Sequence, residues 1–454
     1  MKASKLTALI LSVVMMLGMF PLTAFATSAD SLSVDGPFAT PQLTVATEKN
    51  STLAPGITQD SYTLYNNKDE QVKMFITTAD MSVDTVKLFA SYMDMDPTNY
   101  GMSKLTEQVA SFNEKAAAGD EYYQGTVVAG INASYYNMIT GKPTGTFVMN
   151  GVDVTTESEG NAYGYFAVMK DGSVKIGNKG DYSNDKGNIQ EAIGIYTMLI
   201  VDGQICSGLN TTQYYPRQTI GITADGDVIL MTADGNQAPK SVGLTVLEQA
   251  QVMLDLGCVW AGHLDGGGSC TYAAKAEGSN DFSIVNSPSD GSERSVSNGF
   301  LIASTAVSDG IFASAALATE NEYVTPGSTV EISASGVDKA GGFAEIPENI
   351  SWQLADSSYG SVSDGIFVSN GKVGIAVVQM VYEGNVVGEV SINVVIPDKI
   401  TFASSEMTVP YSKSVPLTLT ATYGARDVAI KSSDIKFVLS NPAVGTISDF
   451  TFVA

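Results

Sequence analysis

Residues 259–269 read Val-Trp-Ala-Gly-His-Leu-Asp-Gly-Gly-Gly-Ser. The apolar half of this segment predicts a buried strand over Val259–Leu264, and the strand ends on Asp265. The three glycines that follow allow the backbone to curl, so that successive N–H groups face inward as a nest for an anion. The nucleotide-binding phosphate loop does not fit, because its Gly-x-x-x-x-Gly-Lys-Ser/Thr pattern is missing. We therefore expect Asp265 to project from a strand end beside an anion-binding loop.

The segments around this motif predict many strands and few helices. Strands are predicted at Val72–Thr78, Val83–Ala90 and Gly125–Ile131. Helical spacing predicts one helix over residues 103–118, capped by Ser103, and another over residues 245–257, ended by Gly257. Because helices and strands do not alternate regularly, residues 55–307 are predicted to form an α+β domain with mixed sheets and a few helices.

Four Asp-Gly pairs lie between apolar alternations in this domain. They are Asp171-Gly172, Asp202-Gly203, Asp225-Gly226 and Asp234-Gly235. Asp-Gly favours the positive φ angles of tight hairpin turns. We therefore assign most of these aspartates to turns and not to catalysis.

After about residue 306 the chain has little charge, short alternating strands and an internal repeat. Gly360-Ser-Val-Ser-Asp and Gly445-Thr-Ile-Ser-Asp stand in equivalent places of a period near 85 residues. This pattern predicts small β-sandwich modules that resemble bacterial Ig-like repeats. We expect an all-β Ig-like sandwich over residues 310–397 and a second, incomplete one over residues 398–454. Because closing a sandwich needs its last strands, we expect the natural chain to continue.

Residues 1–26 have the pattern of a secretory signal peptide. Two lysines precede an apolar run from Leu6 to Phe20, and Ala24-Phe-Ala supplies the cleavage pattern. The run is shorter than the roughly 20 residues of a membrane span, although a retained N-terminal anchor is the alternative. We expect a secreted or cell-surface protein that has no transmembrane span after cleavage, with a linker or loosely held strand over residues 27–54.

Composition narrows the classes of partner and cofactor. Acidic residues outnumber basic ones 48 to 24. The resulting negative electrostatic field repels polyphosphate backbones, so we expect no nucleic-acid partner. Three cysteines are too few for a disulfide scaffold, and with one histidine they do not make a zinc site. An oxygen-ligated calcium ion stays open in so acidic a chain, but the twelve-residue calcium loop is missing. We expect no metal and no cofactor.

Two arginines stand in polar segments beside predicted strands. Arg217 lies in Tyr215-Pro-Arg-Gln-Thr219, and Arg294 follows Pro288-Ser-Asp290. A guanidinium group matches phosphate oxygens in a bidentate manner that a lysine does not. Both are candidate phosphate ligands, and a surface ion pair is the alternative for each.

Five segments, taken together, resemble the phosphodiester glycosidase family. They are Asn132-Ala-Ser-Tyr-Tyr136, Pro216-Arg-Gln-Thr-Ile-Gly221, Gly243-Leu-Thr-Val-Leu-Glu248, Leu264-Asp-Gly-Gly-Gly-Ser269 and Pro288-Ser-Asp with Arg294-Ser-Val296. The resemblance covers roughly residues 55–305 and implies a catalytic domain that releases N-acetylglucosamine from a sugar-1-phosphodiester. Gln218 and His263 depart from the family pattern, which usually has Thr and Asn there. Because of these two departures, the resemblance does not identify the leaving group of the substrate.

The resemblance implies chemistry in which a phosphate leaves from an oxocarbenium-like transition state. The expected catalytic residues are Asp265 as nucleophile, general base or cation stabiliser, Arg217 as electrostatic clamp, and Asn132 as a ligand of a sugar hydroxyl or acetamide. Substrate and phosphate ligands are expected to be Gly266, Gly267, Gly268, Ser269, Arg294, His263 and Tyr135. Tyr135 or Tyr136 would stack on the sugar ring unless both fill the core, and Glu248 is a second acid unless it is a solvated helix residue.

The resulting expectation is a secreted hydrolase that acts on N-acetylglucosamine-1-phosphate linkages of a phosphorylated glycan in envelope or extracellular glycopolymers. The alternative is a surface glycan-binding protein or adhesin with an inactive glycosidase-like domain. A serine hydrolase with His263 as base for Ser269 lacks the Gly-x-Ser-x-Gly motif. The assignment requires that Asp265, the glycine amides and both guanidinium groups meet in space.

Overall fold

The structure is a computed structural model that describes residues 13–15, 38, 43–156, 164–404 and 406–454. The predicted signal peptide lies outside these residues except for a short strand, β1 (Val13–Met15). The chain divides into two compact units. The first contains Asp35–Ala316 and Ser335–Pro347, and the second is built mainly from Leu317–Ala334 and Glu348–Ala454.

The first unit is mostly β, with few helices among its described residues. In chain order its elements are β2 (Thr44–Ala54), β3 (Ile57–Tyr65), β4 (Gln71–Ala79), β5 (Val86–Tyr92), α1 (Leu105–Ala117), β6 (Thr126–Asn132), β7 (Phe147–Met149), β8 (Val152–Thr155), β9 (Gly164–Met169), β10 (Val174–Asn178), α2 (Tyr182–Asp185), β11 (Ile189–Ile195), β12 (Thr197–Val201), β13 (Gln204–Ile205), β14 (Arg217–Thr223), β15 (Val228–Ala233), α3 (Val246–Asp255), β16 (Cys258–His263), β17 (Tyr272–Lys275), β18 (Phe282–Ile284) and β19 (Asn298–Ser304).

These strands form three sheets. The largest has eight strands in the order β13-β12-β16-β14-β15-β4-β3-β2, and the others are β18-β17-β6-β19-β5 and β10-β9-β11-β7-β8. β16 pairs with β12 on one side and β14 on the other, so its backbone groups are satisfied on both edges. The central strands β14 and β15 are buried on both faces, as continuous apolar runs predict for strands covered on each side.

Both predicted helices are confirmed, but the first is capped differently. Ser103 does not cap α1, because its backbone pairs with that of Val296. Lys104 is the N-cap residue, and Glu107 Oε2 accepts its N–H at 2.9 Å. Thr245 caps α3 in a capping box, in which the Glu248 carboxylate accepts the Thr245 N–H at 2.8 Å.

The first unit begins earlier than the sequence predicts. Residues 44–54, expected to belong to a linker or loosely held strand, form β2, which pairs with β3 along its whole length. Val45, Leu53 and Ala54 of this strand are fully buried. The mainly polar residues between Val45 and Leu53 obscure this strand in the sequence, and its pairing with β3 defines it.

Three of the four Asp-Gly pairs form turns, and the fourth does not. Gly172, Gly203 and Gly226 have φ of +87°, +72° and +95°. Asp234, in contrast, follows β15 as a side chain only 2% exposed. Its carboxylate accepts hydrogen bonds from Asn286 Nδ2 at 2.9 Å and from the Ser287 N–H at 3.0 Å.

A buried carboxyl joins distant segments of the same unit. Glu191 on β11 is 1% exposed and accepts the N–H groups of Ala90 and Asn150, each at 3.0 Å, and the hydroxyl of Tyr122. Burial raises the pKa of Glu191 to about 8. The group is therefore mainly protonated at neutral pH, which avoids a charge in the core.

The described residues after 310 form strands and short 3₁₀ turns, without an α-helix. The strands are β20 (Ser314–Ala318), β21 (Tyr323–Val324), β22 (Thr329–Glu331), β23 (Ser333–Val337), β24 (Ser351–Leu354), β25 (Gly360–Ser363), β26 (Ile366–Ser369), β27 (Gly374–Tyr382), β28 (Asn385–Val394), β29 (Lys399–Phe402), β30 (Ser414–Pro416), β31 (Leu419–Tyr423), β32 (Arg426–Asp427), β33 (Phe437–Leu439), β34 (Thr446–Ser448) and β35 (Thr451–Val453). None of the helices in the described part of the chain is both long and apolar enough to cross a bilayer.

The two copies of the 85-residue sequence repeat contain matching strands in the second unit. The first copy contains the sheet β22-β26-β25, and the second contains β30-β35-β34 in the same order. Gly360 and Gly445 have φ of +153° and +154°, and Asp364 and Asp449 have φ of +51° and +45°. The Ig-like assignment of these copies stays a prediction.

Candidate active site

The ends of three strands bring the candidate residues together. Asn132 ends β6, Arg217 begins β14, and His263 ends β16. Antiparallel pairing places Thr219 opposite His263, and the Leu264 N–H donates to the Gln218 carbonyl at 2.9 Å. The Asp265 N–H then donates to the Ala133 carbonyl at 2.8 Å. Asp265 therefore lies where the eight-stranded sheet meets the five-stranded sheet that contains β6.

Asp265 is a buried carboxyl with a raised pKa. Its side chain is 8% exposed, and burial raises the pKa of Asp265 to about 6. A hydrogen bond from Ser269, the charge of Arg294 and the Gly266 amide act in the opposite direction. Because desolvation disfavours the charged form, Asp265 holds its proton up to a higher pH than an ordinary aspartate does.

The glycine loop does not form the predicted nest of free amides. The Gly267 N–H donates to the Pro216 carbonyl at 3.0 Å, and the N–H groups of Ser269 and Cys270 close a 3₁₀ turn onto Gly266 and Gly267. These amides are satisfied within the protein because the loop packs against the segment before β14 instead of opening around a ligand.

Close approach explains two of the glycines. A Cβ atom on Gly266 would lie 2.7 Å from the Pro216 carbonyl oxygen. A Cβ atom on Gly268 would collide with the guanidinium group of Arg294 and the carboxylate of Asp290. The loop therefore brings the Arg294–Asp290 pair next to Asp265, and anion binding by the glycine amides stays a prediction.

The side chain of Asn132 binds the backbone of Asp265 within the protein interior. Its side chain is fully buried, and Nδ2 donates to the Asp265 carbonyl at 2.8 Å. Asn132 Oδ1 accepts from Gln218 Nε2 at 3.1 Å and from the Thr271 N–H at 3.0 Å. The structure thus gives Asn132 a positioning role and not the sugar contact that the sequence predicts.

Gln218 belongs to the same buried network. Besides Asn132, its Nε2 donates to the Thr271 carbonyl at 3.0 Å, and its Oε1 accepts from Thr232 at 2.6 Å. The network leaves no oxygen of this amide unpaired. Gln218 is longer than the threonine that the family usually has after the arginine, and its side chain makes its hydrogen bonds inside the fold.

Arg217 is a buried cation. It is 7% exposed, and its Nε and Nη2 donate to the carbonyls of Leu244 and Gln213, each at 2.8 Å. The guanidinium group lies 5.5 Å from the ring centre of Tyr215, which is 43% exposed. Within the described residues no carboxylate forms an ion pair with Arg217. These contacts do not use its Nη1 protons.

Arg294 is already paired. Its Nη2 and Nε contact Asp290 Oδ2 at 2.6 and 2.9 Å, and its Nη1 donates to Ser269 Oγ at 3.3 Å. The surface ion pair that the sequence left as an alternative is therefore present. The hydroxyl of Ser269 accepts from Arg294 and donates to Asp265, so it connects this pair to the candidate catalytic carboxyl.

Electrostatic interactions connect several of the separate segments. The charges of Asp265 and Arg217 both shift the pKa of Tyr135 and of Cys270. The charge of Arg294 lowers the pKa of Asp265. Arg294 therefore lies beside Asp265, and Arg217 and Asp265 both act on Tyr135 and Cys270, while the meeting of all three groups in one anion pocket stays a prediction.

His263 is buried and uncharged. Burial and the charge of Arg217 lower the pKa of His263 to about 3. Its Nε2 lies 3.3 Å from the Tyr135 hydroxyl, and its Nδ1 lies 3.1 Å from Gln249 Nε2. These contacts occupy both ring nitrogens with groups other than Ser269, which argues against a serine hydrolase.

Two aromatic rings form the wall beside His263. Tyr135 is half-buried and stacks on Tyr196, with ring centres 4.4 Å apart. Tyr196 is 36% exposed, so this pair presents an aromatic face to solvent. Tyr136 is also half-buried, and its hydroxyl donates to the Ser295 carbonyl at 3.3 Å.

Sequence reasoning missed Gln249 and Tyr196, and it left Glu248 open. Glu248 is the capping-box acid of α3, and its Oε1 accepts from Tyr214 at 3.5 Å. Gln249 is a polar residue, yet it is fully buried, as is its apolar neighbour Ala250 on α3. A glutamine next to the buried face of an amphipathic helix was the one available signal, since such an amide needs internal partners.

Comparison with known proteins places part of the chain in a family. Residues 125–303 match the phosphodiester glycosidase family. The SPbeta prophage-derived uncharacterized protein YomE of Bacillus subtilis (strain 168) is 38% identical over 82 residues, which are 18% of this chain and 12% of that protein. The chain thus matches only a small part of this curated relative.

Two solved structures are similar to this chain at low TM-scores. The catalytic domain of zebrafish N-acetylglucosamine-1-phosphodiester alpha-N-acetylglucosaminidase, auto-inhibited by its pro-peptide, has a TM-score of 0.44 and 17% identity over 57% of this chain and 88% of that one. A hypothetical protein from Synechocystis has a TM-score of 0.45 and 14% identity over 57% of this chain and 64% of that one. The sequence match therefore carries the comparison: the segment 125–303, which contains Asn132, Arg217 and Asp265, matches the phosphodiester glycosidase family.

Proposed function

We propose that this protein is an exported hydrolase that cleaves sugar-1-phosphodiesters, with N-acetylglucosamine-1-phosphate linkages in envelope or extracellular glycopolymers as its substrate. The observation that carries the proposal is the buried Arg217 guanidinium, which has no carboxylate partner within the described residues. Its carbonyl partners are neutral, so the buried positive charge has no opposite charge beside it, and an anionic ligand group would supply one. The phosphate of the substrate is that group.

The reaction breaks the bond between the sugar C1 and the phosphate oxygen, and a water oxygen bonds to C1. The bond electrons leave with the phosphate monoester, whose second pKa of about 6 makes it a good leaving group without strong acid assistance. Arg217 stabilises the charge on the departing phosphate. The ionised Asp265 carboxylate stabilises the oxocarbenium-like centre, as nucleophile, as a base toward water or by its charge.

The test is hydrolysis by the purified protein in ¹⁸O-labelled water. Substrates are UDP-N-acetylglucosamine, other N-acetylglucosamine-1-phosphodiesters and isolated envelope polymers. We expect release of free N-acetylglucosamine with the label on the sugar C1 hydroxyl, because the C1–O bond breaks. Label on the phosphate would identify a phosphodiesterase instead, and no sugar release from any of these substrates would reject the proposed activity.

The pH dependence of kcat/KM gives an independent prediction. Asp265 must be ionised to act on a cationic centre, and its pKa is raised to about 6. We expect kcat/KM to rise with pH through about 6 and then to level off, since the pKa of His263 is about 3 and that group does not titrate in this range. A profile that falls as pH rises through 6 would mean that the protonated acid is the active form.

We also propose that residues 1–26 direct export and that the repeats after residue 310 are Ig-like modules that hold the enzyme at the cell surface. The apolar N-terminal run and the matched strand order of the repeats support this location. N-terminal sequencing of protein recovered outside the cell tests the first part. An intact Met1 on that protein would reject cleavage near Thr27.

A further inference from the structure

Asp234 is a buried carboxylate that the proposed reaction does not use. It follows β15 and is only 2% exposed. Its Oδ1 accepts from Asn286 Nδ2 at 2.9 Å, and the Ser287 N–H lies 3.1 Å from Oδ1 and 3.0 Å from Oδ2. Hydrogen bonds to an ionised carboxylate are stronger than those between neutral groups. The carboxylate therefore fixes the two residues that precede the segment Pro288–Arg294.

The loop that carries Asp234 is itself bound to the eight-stranded sheet. The Ser241 hydroxyl donates to the Asp234 carbonyl at 2.7 Å and accepts the N–H of Lys73, a residue of β4, at 3.0 Å. Gln237 adds two contacts to Ser287, because its Nε2 donates to the Ser287 carbonyl at 2.6 Å and its Oε1 accepts from Ser287 Oγ at 2.9 Å. Asp234 and Gln237 thus bind the same residue from a loop whose backbone is connected to β4.

The side chain of Asn286 connects this loop to the strand after the three glycines. Its Nδ2 also donates to the Cys270 carbonyl at 3.2 Å, and its Oδ1 accepts the Tyr272 N–H at 2.8 Å. One amide nitrogen carries two protons, so Asp234 and Cys270 use both of them. The same amide therefore fixes the residue that follows Ser269.

The two segments bound by this amide meet again at Arg294. The Nη1 of Arg294 donates to Ser269 Oγ at 3.3 Å. Glu293, the residue before Arg294, accepts the Thr106 N–H at 2.9 Å and the Thr106 hydroxyl at 2.7 Å. The segment that carries Arg294 is therefore fixed at its start by Asp234 and near its end by Thr106.

We infer that Asp234 is a positioning residue that fixes Arg294 beside the catalytic carboxyl Asp265. It acts through Asn286, whose amide binds the segments on both sides of the contact between Arg294 and Ser269. The inference rests on the proposed function, because Asp265 is the catalytic carboxyl of that reaction. It gives a role to the one Asp-Gly pair that does not form a turn.

The pKa of Asp265 depends on the place of Arg294. Burial raises the pKa of Asp265 to about 6, and the charge of Arg294 acts in the opposite direction. If Arg294 moves away, the pKa of Asp265 rises. Loss of the negative charge of Asp234 favours ionisation of Asp265, and so does greater exposure to water, so neither can raise its pKa. An increase therefore identifies a displaced Arg294 and not a general loosening of the fold.

The pKa of Asp265 can be measured without any substrate. In protein labelled with [4-¹³C]aspartate, the signal that is absent from Asp265→Asn identifies this carboxyl carbon. Tyr135, Tyr136 and Cys270 interact with Asp265, but their pKa values are raised and they stay neutral near pH 6. We expect Asp234→Ala to raise the pKa of Asp265 by about one pH unit, as for the loss of one nearby opposite charge. An unchanged or lowered pKa would overturn the inference.

A milder variant and a rescue test the same contact if Asp234→Ala does not fold. Asp234→Asn turns an amide nitrogen toward the Ser287 N–H or the Asn286 amide, so we expect a smaller increase in the same direction. Combining Asp234→Asn with Asn286→Asp exchanges donor and acceptor between the two side chains, and the pKa of Asp265 should return toward about 6. A double variant that shows no recovery would remove Asn286 from the chain of contacts.

Glu191→Gln is the matched control. Glu191 is also a buried carboxyl, and it accepts the N–H groups of two distant residues, Ala90 and Asn150, outside the candidate site. We expect this variant to leave the pKa of Asp265 unchanged. The same increase in the control would mean that any lost internal contact shifts Asp265, which contradicts a specific role of Asp234.

Kinetics connect the positioning role to the proposed reaction. Asp234→Ala should lower kcat/KM at pH 7.5 about tenfold, within the cost of a misplaced catalytic group. The midpoint of the kcat/KM profile should rise together with the pKa of Asp265. A loss of rate with the midpoint still at about 6 would show that Asp234 contributes to stability only. If the parent protein releases no sugar but the pKa increase and its recovery are observed, the proposed function fails and Asp234 still positions Arg294.

Discussion

Asp265→Asn is expected to lower kcat/KM for a sugar-1-phosphodiester by roughly 10²–10⁴-fold, the range for a group that acts directly in the chemical step. The substitution keeps the shape of the side chain and removes the negative charge that stabilises the sugar cation or activates water. Steady-state kinetics at pH 7.5, above the pKa of about 6, measures the effect with the parent carboxylate ionised. A glycan-binding protein would bind its ligand as before and show no turnover in either form.

The stability of the same variant separates catalysis from folding. The pKa of Asp265 is raised in the folded state, so the folded protein holds the proton more tightly and loses stability as pH rises from about 4 through 6. Asp265→Asn removes this buried charge, and thermal unfolding at pH 7.5 should not occur at a lower temperature. Asp338→Asn is the control, since Asp338 is a buried aspartate that binds its own turn, and it should leave kcat/KM unchanged. Full activity of Asp265→Asn would remove Asp265 from the mechanism.

Arg217→Lys is expected to lower kcat/KM by roughly 10²–10³-fold, as for other donors that stabilise developing negative charge. A lysine keeps the charge but cannot bind the carbonyls of Leu244 and Gln213 and still present a planar pair of N–H groups to phosphate. The affinity for N-acetylglucosamine-1-phosphate should fall with the rate, whereas the affinity for uncharged N-acetylglucosamine should change little. Calorimetric titration of both sugars measures this difference.

The second unit supplies a matched control for this variant. Arg426 is also 7% exposed, and its guanidinium group lies 5.6 Å from the ring centre of Tyr323. Arg426→Lys makes the same chemical change outside the candidate site, and we expect its kcat/KM to equal that of the parent. Unchanged binding of the phosphosugar by Arg217→Lys would show that another group holds the anion.

The local sequence pattern was sufficient to predict the helices and strands whose apolar residues recur with a clear period. Helix α3 follows from the spacing of its apolar residues and from Thr245 and Glu248 at its start, and the structure places the helix within one or two residues of that prediction. The strand that ends at His263 followed from an apolar run before three glycines. The linker boundary was less accurate, because the burial of Leu53 depends on strand β3 and is not marked by the polar residues around it.

The sequence named candidate site residues, but the structure gives some of them contacts that differ from the predicted ones. Asp265, Arg217 and Arg294 were named from residue type and motif; the charge of Arg294 acts on Asp265, and the charges of Asp265 and Arg217 both act on Cys270. Asn132 was assigned to the sugar, yet its amide supports the Asp265 backbone. Asp-Gly chemistry pointed to a turn at Asp234, but Asn286 and Ser287, more than fifty residues later, bury that carboxylate.

The amino-acid sequence alone determined which residues can do the chemistry and where strands and helices run, because side-chain type and local periodicity act over a few residues. Only the tertiary structure decided which amides are satisfied, as when the Pro216 carbonyl accepts the Gly267 N–H, and which cations are buried with neutral partners, as Arg217 is with the carbonyls of Leu244 and Gln213. Hydrogen-bond partners and desolvation are set by residues distant in the chain, and these contacts convert a carboxyl of ordinary acidity into Asp265 with a pKa of about 6.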